Sequence, residues 1–299
     1  MSQGPRQTNP RERLEFMTAA NRKSAGFTLT ELLVVLGSLA LLAATLLPAL
    51  SATKLKELST QCMDNLRQLT AAGIDYQTEN KGIPWGQVNR LWFTPLNAVQ
   101  NGEGIHLLCP LAPPPATTYT FIAQGTANEA WTWYVLSDPN NPASPSVVTN
   151  GSYGLNGWFY QYSSSMDGFI SSSDATRFFG SAAAVTHPSL TPMFLDALWP
   201  DLWPYQGGIP DQYNSRNYNL YGNISVNIGA TRQGIPRCMI GRHGICPPAT
   251  ASMYESTLIL PWPDVGVNIS LADGHVEYSS AQHLFQYYWN RNAVPVALP

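Results

Sequence analysis

The stretch that decides the fold is FTLTELLVVLGSLALLAATLLPAL, residues 27–50. Its 24 residues (50 − 26) contain one charged side chain, that of Glu31. About 20 apolar residues suffice for a helix to cross the hydrocarbon core of a bilayer, so this stretch predicts a transmembrane helix. A carboxylate in that core costs roughly 2.5–3.5 kcal/mol on insertion scales. Glu31 therefore either lies near the interface, where headgroup water reaches its charge, or has a specific role.

The residues before this stretch form a basic leader. Residues 1–26 carry a net charge of +3 (5 − 2), from Arg6, Arg11, Glu12, Arg13, Glu15, Arg22 and Lys23. Positive charge before a first span keeps that side in the cytoplasm. A secretory signal has its small-residue cleavage site after the apolar region, whereas Ser24-Ala25-Gly26 comes before it. Cleavage at Gly26 would therefore leave the apolar stretch in the mature chain.

The junction Gly26-Phe27-Thr28-Leu29-Thr30-Glu31-Leu32-Leu33, followed by the apolar run, resembles the amino terminus of type IV pilins and type II secretion pseudopilins. The resemblance implies that a prepilin peptidase cuts between Gly26 and Phe27 and methylates the new amine. It implies a single-pass protein of the bacterial inner membrane, with a cytoplasmic amino terminus and an extracytoplasmic head. It also implies assembly with similar subunits into a filament, and places Pro48 where many members have a helix-kinking proline.

The resemblance gives Glu31 a role in assembly. In such a filament the amino ends of the helices are buried, and a buried amine needs an opposite charge. Glu31 of one subunit would pair with the Phe27 amine of its neighbour and so set the axial register. The alternative is a tolerated interfacial residue.

Apolar residues recur at three- and four-residue steps after the span, which predicts an amphipathic continuation of the helix. This stripe consists of Leu55, Leu58, Cys62, Leu66, Leu69, Gly73 and Tyr76. Asn80-Lys81-Gly82, followed by Pro84, predicts the end of the helix. The predicted organisation is a leader (1–26), a transmembrane or filament-core helix (27–50), its amphipathic continuation (51–82) and a globular head (83–299).

The head is predicted to be rich in β-structure. Five β-like runs separated or interrupted by turn residues indicate antiparallel sheet; they are 131–136, 146–162, 191–197, 256–262 and 267–280. Loops are expected at 110–119, 137–146 and 163–182, and a short helix at 280–288. The predicted fold class is α+β, with a pilin-like long helix packed on an antiparallel sheet that has long loops.

Several motifs resemble those of large-headed bacterial pilin-like proteins. They are Cys62-Met63-Asp64-Asn65-Leu66-Arg67-Gln68-Leu69, Cys109-Pro110, Ser152 to Asn156, Arg242-His243 and Asp273-Gly274-His275-Val276. The tryptophan-rich middle of the chain and the Cys238 and Cys246 pair depart from that branch.

The four cysteines predict two disulfides in an extracytoplasmic domain, with three possible pairings. Cys238 and Cys246 flank a short loop, which favours their pairing and leaves Cys62 to pair with Cys109. Free buried thiols are the alternative. A zinc site is disfavoured, because the chain has no Cys-x-x-Cys motif and oxidising surroundings disfavour free thiolates.

His243, Asp273 and His275 are candidate metal ligands, since imidazole and carboxylate bind metals. Calcium is considered by analogy with major pseudopilins, some of which bind it in a C-terminal loop; otherwise no cofactor is expected. The other interpretation is a type I′ turn at Asp273-Gly274. HExxH, GxSxG and P-loop motifs do not occur in the sequence, so we expect no enzymatic activity.

Nine tryptophans raise the possibility of sugar binding, with Trp199 and Trp203 as a loop-borne stacking pair. The alternative is that they fill the core, because large aromatic side chains bury much apolar area. Charged residues make up 12% of the chain, against about 25% in typical domains, and no basic patch indicates nucleic acid as a partner.

Together these features predict a structural subunit of a pilus-like or pseudopilus-like filament. The second hypothesis is a membrane-anchored extracytoplasmic binding protein that a pilin-type signal exports, with glycan as one candidate ligand. The sequence does not distinguish a pilus from a pseudopilus, nor a major from a minor subunit.

Mass spectrometry of the mature protein should place its amino terminus at Phe27, with an N-methyl group. A bulky side chain in place of Gly26 should block cleavage, whereas Gly26→Ala keeps a small side chain at the cutting site. A mature chain that begins after Ala49, or that retains Met1, would contradict this prediction.

Overall fold

A computed structural model describes residues 26–80, 82–85, 91–99, 105–117, 119, 121–135, 147–166, 170–205, 234–238, 240–244 and 265–296. The leader up to residue 25, the predicted loop 137–146, the predicted strand 256–262 and Cys246 lie outside these residues. The chain forms two compact units, Met1–Ala52 and Thr53–Pro299.

The first unit contains the start of helix α1, which runs from Leu29 to Asn80. Within α1, the 19 residues Leu29–Leu47 are long and apolar enough to cross a membrane, and none of them is buried. Length and composition fit a membrane span, as predicted, and they also fit a signal sequence. Gly26, Phe27 and Thr28 precede the helix and are exposed.

The second unit contains the rest of α1, whose buried face largely follows the predicted stripe. Cys62, Leu66 and Leu69 are fully buried, whereas the side chains off the stripe are exposed, namely Lys54, Lys56, Glu57, Asp64 and Arg67. Leu55 at the start of the stripe is exposed. The apolar face of α1 is therefore at least partly buried from Leu58 onward.

The end of α1 agrees with the predicted stop. The helix ends at Asn80, and Gly82 has a φ of +128°, a conformation that glycine adopts with little strain. Ile83 then forms a bridge with Tyr160. The chain thus leaves the helix directly onto the core of the second unit.

The described residues of the second unit form two sheets. Strands β1 (Trp131–Val135) and β2 (Val147–Gly151) pair antiparallel. The larger sheet contains β3 (Tyr153–Asn156), β4 (Pro192–Asp196), β5 (Asp201–Leu202), β6 (His243–Gly244), β7 (Val265–Leu271) and β8 (Val276–Ser280). Its order is β5-β3-β4-β7-β6, and β8 also pairs with β7. All pairs are antiparallel except β3 with β5.

The described residues confirm four of the five predicted β runs and a mixed α and β fold with antiparallel sheets. Strands β5 and β6 were not predicted, because two residues are too short to show alternation. Helix α2 (Phe93–Val99) was not predicted either, because it is too short to show a 3.6-residue period clearly. The helix expected at 280–288 is a 3-10 helix at His283–Gln286. Two further 3-10 helices, Ser164–Met166 and Ser172–Arg177, occupy the predicted loop 163–182.

Strand β7 presents alternating side chains to two environments. Val267, Ile269 and Leu271 belong to a hydrophobic cluster that also contains C-terminal side chains, namely Leu284, Phe285, Tyr287 and Trp289. Between them, Asn268 Nδ2 donates to Ser59 O of α1 at 3.2 Å, and Ser270 Oγ accepts from Thr70 Oγ1 at 2.6 Å. The period of two places every second side chain on the same face, so α1 meets polar groups of this central strand.

Helix α1 lies close to strand β4 at Gly73. A Cβ atom built there would lie 2.6 Å from Met193 Cε and 2.9 Å from Phe194 Cε2. These separations are shorter than any ordinary carbon contact, so the glycine is what allows the helix to lie this close to the strand.

Gly73→Val should therefore destabilise the second unit by about 1–3 kcal/mol, because overpacking displaces neighbouring side chains. Ala71→Val is the matched control: Ala71 lies on the same helix and is exposed, so its cost should stay below about 0.7 kcal/mol. Denaturation of the detergent-solubilised chain, followed by tryptophan fluorescence, measures both. Equal losses of unfolding free energy for the two valine variants would show that the contact at Gly73 is not tight.

Candidate functional site

At the start of α1 lies the predicted assembly residue Glu31, and just before the helix lie the predicted processing residues Gly26 and Phe27. Thr28 Oγ1 accepts a hydrogen bond from Glu31 N at 3.2 Å. In return, Thr28 N and Thr28 Oγ1 both donate to Glu31 Oε2 at 2.8 Å. This reciprocal pattern is a capping box, which satisfies backbone N–H groups that the first turn of a helix leaves unpaired. Gly26 and Phe27 lie immediately before it.

The capping box is a feature that the sequence analysis missed, although its signature was readable as Thr28-x-x-Glu31 ahead of an apolar run. It gives Glu31 hydrogen-bond partners within its own chain. It also places a negative charge in the first turn, where the helix dipole favours it. The pairing of Glu31 with a neighbouring subunit's amine stays a prediction.

A second constellation lies in the larger sheet, in a group that we call the buried centre: Asp196, Arg242 and His243. The three residues are at most 3% exposed. Arg242 Nη1 donates to Asp196 Oδ1 at 3.0 Å, and His243 Nε2 lies 3.1 Å from Asp196 Oδ2. The backbone N–H of Asn268 also donates to Asp196 Oδ2, at 2.9 Å. Strands β4, β6 and β7 thus meet at one carboxylate.

The guanidinium of Arg242 connects the buried centre to the segments around it. Its Nε donates to Ala127 O at 3.0 Å, its Nη2 donates to Thr126 O at 2.9 Å, and its Nη1 donates to Ser152 O. The five N–H donors of a guanidinium form a rigid fork. A single buried cation therefore fixes the loop before β1 and the junction of β2 and β3 against the larger sheet.

Electrostatics favour the charged form of the central carboxylate. Burial alone would raise the pKa of Asp196, but His243 and Arg242 act against it and hold that pKa below its usual value. The charge is thus compensated in place, as a buried ion must be. The arrangement supports the packing of this unit.

The predicted disulfide between Cys62 and Cys109 is present and ties α1 to the segment after α2. His243 Nε2 lies 3.7 Å from Cys109 Sγ, so the disulfide borders the buried centre. Cys238 carries a buried free thiol that donates to Ile235 O at 3.2 Å. The predicted pairing of Cys238 with Cys246 is therefore not shown, and Cys246 itself lies outside the described residues.

The predicted metal set of His243, Asp273 and His275 does not converge, so it cannot act as one site. His243 pairs with Gly266 near the start of β7, whereas Asp273 and His275 follow the end of that strand. Strand residues rise about 3.3 Å each, so most of the length of β7 separates the two groups. Sequence proximity of histidines and acids could not reveal their positions along a common strand.

Asp273 and His275 instead shape the turn between β7 and β8. His275 Nδ1 lies 2.7 Å from Asp273 Oδ1, and both side chains are partly exposed. Gly274 N donates to Leu271 O, so Ala272 and Asp273 are the central residues of the turn. The turn is therefore at the predicted place, but the predicted type I′ turn centred on Asp273-Gly274 was wrong by one residue. Gly274, with a φ of +95°, closes it.

The proposed sugar-stacking pair is also corrected. Trp203 is fully buried and packs edge-on against Trp158 and stacked on Tyr160. Its ring cannot meet a sugar. Trp199 is half-buried and lies over the guanidinium of Arg237 at 5.3 Å, which gives it a structural contact.

Comparison of the chain with protein-family models, curated proteins and solved structures finds no match.

Asp196→Asn should destabilise the second unit by about 3–5 kcal/mol, because it leaves buried Arg242 without its counter-charge. Asp64→Asn is the control, since Asp64 pairs with Arg67 on the surface and exposed pairs contribute at most about 1 kcal/mol. Thermal and urea denaturation of the full chain in detergent would measure the difference. Similarly small losses of unfolding free energy for both variants would show that the buried carboxylate does not stabilise the second unit.

Proposed function

We propose that this chain is a structural subunit of a type IV pilus-like or type II secretion pseudopilus-like filament, made as a precursor with residues 1–26 as its leader. The observation that carries the proposal is the exposed apolar window Leu29–Leu47, with no buried residue, directly after the exposed Gly26-Phe27 junction. A window of this kind needs either lipid or other helices around it. A filament core of packed helices supplies the second environment after the membrane has supplied the first.

The chemistry at the start of α1 supports the same proposal. Cleavage after Gly26 would create an amine at Phe27, one residue before Thr28, whose N–H already donates to Glu31 Oε2. The carboxylate is thus held at the end of the helix where such an amine would appear. In a bundle of helices, pairing across subunits would compensate both charges in a dry environment.

The proposal includes partners and a location. A prepilin peptidase would process the chain, the bacterial inner membrane would hold it, and related subunits would surround it in the filament. The head would lie outside the cytoplasm, where a disulfide such as Cys62–Cys109 persists. The proposal assigns no catalytic activity and no nucleic-acid partner to the chain.

The experiment separates the charge of Glu31 from its cap. Glu31→Gln removes the charge, while glutamine still suits a capping box. Thr28→Val keeps the charge and removes the capping hydroxyl at nearly constant size. Glu31→Leu removes both. Sheared-filament or secretion yield, membrane abundance and cleavage are measured for each variant.

We expect all three variants to insert and to be cleaved normally. Assembly should stay near wild type for Thr28→Val and fall at least about tenfold for Glu31→Gln, because an uncompensated buried amine costs well over the 1.4 kcal/mol that tenfold represents. Glu31→Leu should assemble least. Normal assembly of Glu31→Leu would make Glu31 a tolerated interfacial residue, and a processed, inserted wild-type chain absent from filaments would favour the anchored binding protein.

A further inference from the structure

Three potential metal ligands meet beside the buried centre, although they are distant in sequence. Cys62 lies on α1, Cys109 follows 47 residues later, and His243 lies another 134 residues along the chain. All three are buried, and one ligand atom of each lies within 4.8 Å of the others. No short motif joins them, so the absence of Cys-x-x-Cys in the sequence does not decide against a metal site here.

We propose that the reduced form of this chain binds one Zn²⁺ ion through the side chains of Cys62, Cys109 and His243. The disulfide and the metal site would then be two alternative cross-links at the same position. This inference goes beyond the proposed filament function: it concerns the second unit after its disulfide, which persists outside the cytoplasm, has been reduced.

The distances fit such a site. Zinc binds thiolate sulfur at about 2.3 Å and imidazole nitrogen at about 2.0–2.1 Å in a tetrahedral arrangement, which implies an S···N edge of about 3.6 Å. The edge from Cys109 Sγ to His243 Nε2 is 3.7 Å. Asp196 Oδ2 lies 3.1 Å from the same nitrogen, so Nε2 would exchange its contact with the carboxylate for the ion.

The surroundings already fix the carboxylate of Asp196 beside these ligands. Arg242 Nη1 and the backbone N–H of Asn268 hold Asp196 from two sides. Charge also favours a divalent ion, because two thiolates and Zn²⁺ sum to zero and the Asp196–Arg242 pair is already neutral. The dry centre would therefore gain no net charge.

The conversion balances with a phosphine as reductant. A trialkylphosphine and one water reduce the Cys62–Cys109 bond to two thiols, while the phosphorus is oxidised to the phosphine oxide and takes up the oxygen of the water. Binding of Zn²⁺ to the two thiols and the imidazole then releases two protons.

The test uses the full chain in detergent, with Cys238→Ala and Cys246→Ala in the background so that no other thiol contributes. The chain is reduced with the phosphine and titrated with Co²⁺ and then Zn²⁺. We expect one Co²⁺ per reduced chain, with thiolate charge-transfer and tetrahedral absorption bands that Zn²⁺ abolishes. The oxidised chain should show neither band, and Zn²⁺ should raise the melting temperature of the reduced chain only.

Two variants identify the ligands. Reduced Cys62→Ser should lose the charge-transfer band, and reduced His243→Gln should bind Co²⁺ at least about tenfold more weakly. The oxidised His243→Gln chain must still form the Cys62–Cys109 disulfide and keep native near-ultraviolet circular dichroism, which separates ligand loss from misfolding. If His243→Gln fails that check, the Cys62→Ser result decides. Absence of stoichiometric binding to the reduced chain, or unchanged binding by the deciding variant, would overturn the proposal.

Discussion

The carboxylate of Asp196 is the point on which the second unit depends. It accepts hydrogen bonds from Arg242 on one oxygen and from the backbone of Asn268 on the other, next to His243. A buried charge of this kind is stable only when every partner is in place. Strands β4, β6 and β7, the loop before β1 and the disulfide to α1 are therefore fixed relative to a single group.

The sequence predicted those parts of the fold that follow from local periodicity. The apolar run and the stripe through Cys62, Leu66 and Leu69 predicted α1, and the end near Asn80 followed from glycine and proline chemistry. Alternation predicted β7 and β8, and the Cys62–Cys109 disulfide followed from the cysteine count together with its spacing. The helix and strand signals lie within a window of about one element, where steric and hydrophobic rules act directly, whereas the disulfide joins cysteines 47 residues apart.

The buried centre could not be predicted in the same way. Arg242 and Asp196 are 46 residues apart, and Arg242 reaches Ala127 across 115 residues. Only the tertiary fold brings such partners together, and a charged residue in sequence looks the same whether it is solvated or paired. The pair Trp199 and Trp203 had the same ambiguity, because one ring is buried and the other half-buried. The capping box has a recognisable sequence signature, Thr28-x-x-Glu31, but the partner predicted for Glu31 was an amine of another subunit.

The side-chain hydrogen bonds between α1 and β7, which we call the polar seam, have a mechanical consequence. Thr70 with Ser270 and Ser59 with Asn268 fix the axial position of the helix on the strand, and a slip by one helical turn, about 5.4 Å, would leave all four groups mismatched. A pull along the helix axis would therefore load these hydrogen bonds, the disulfide and the contact at Gly73 simultaneously, in shear. Bonds loaded together share the force, whereas bonds peeled in sequence break one at a time, so this seam suits a helix that must bear tension.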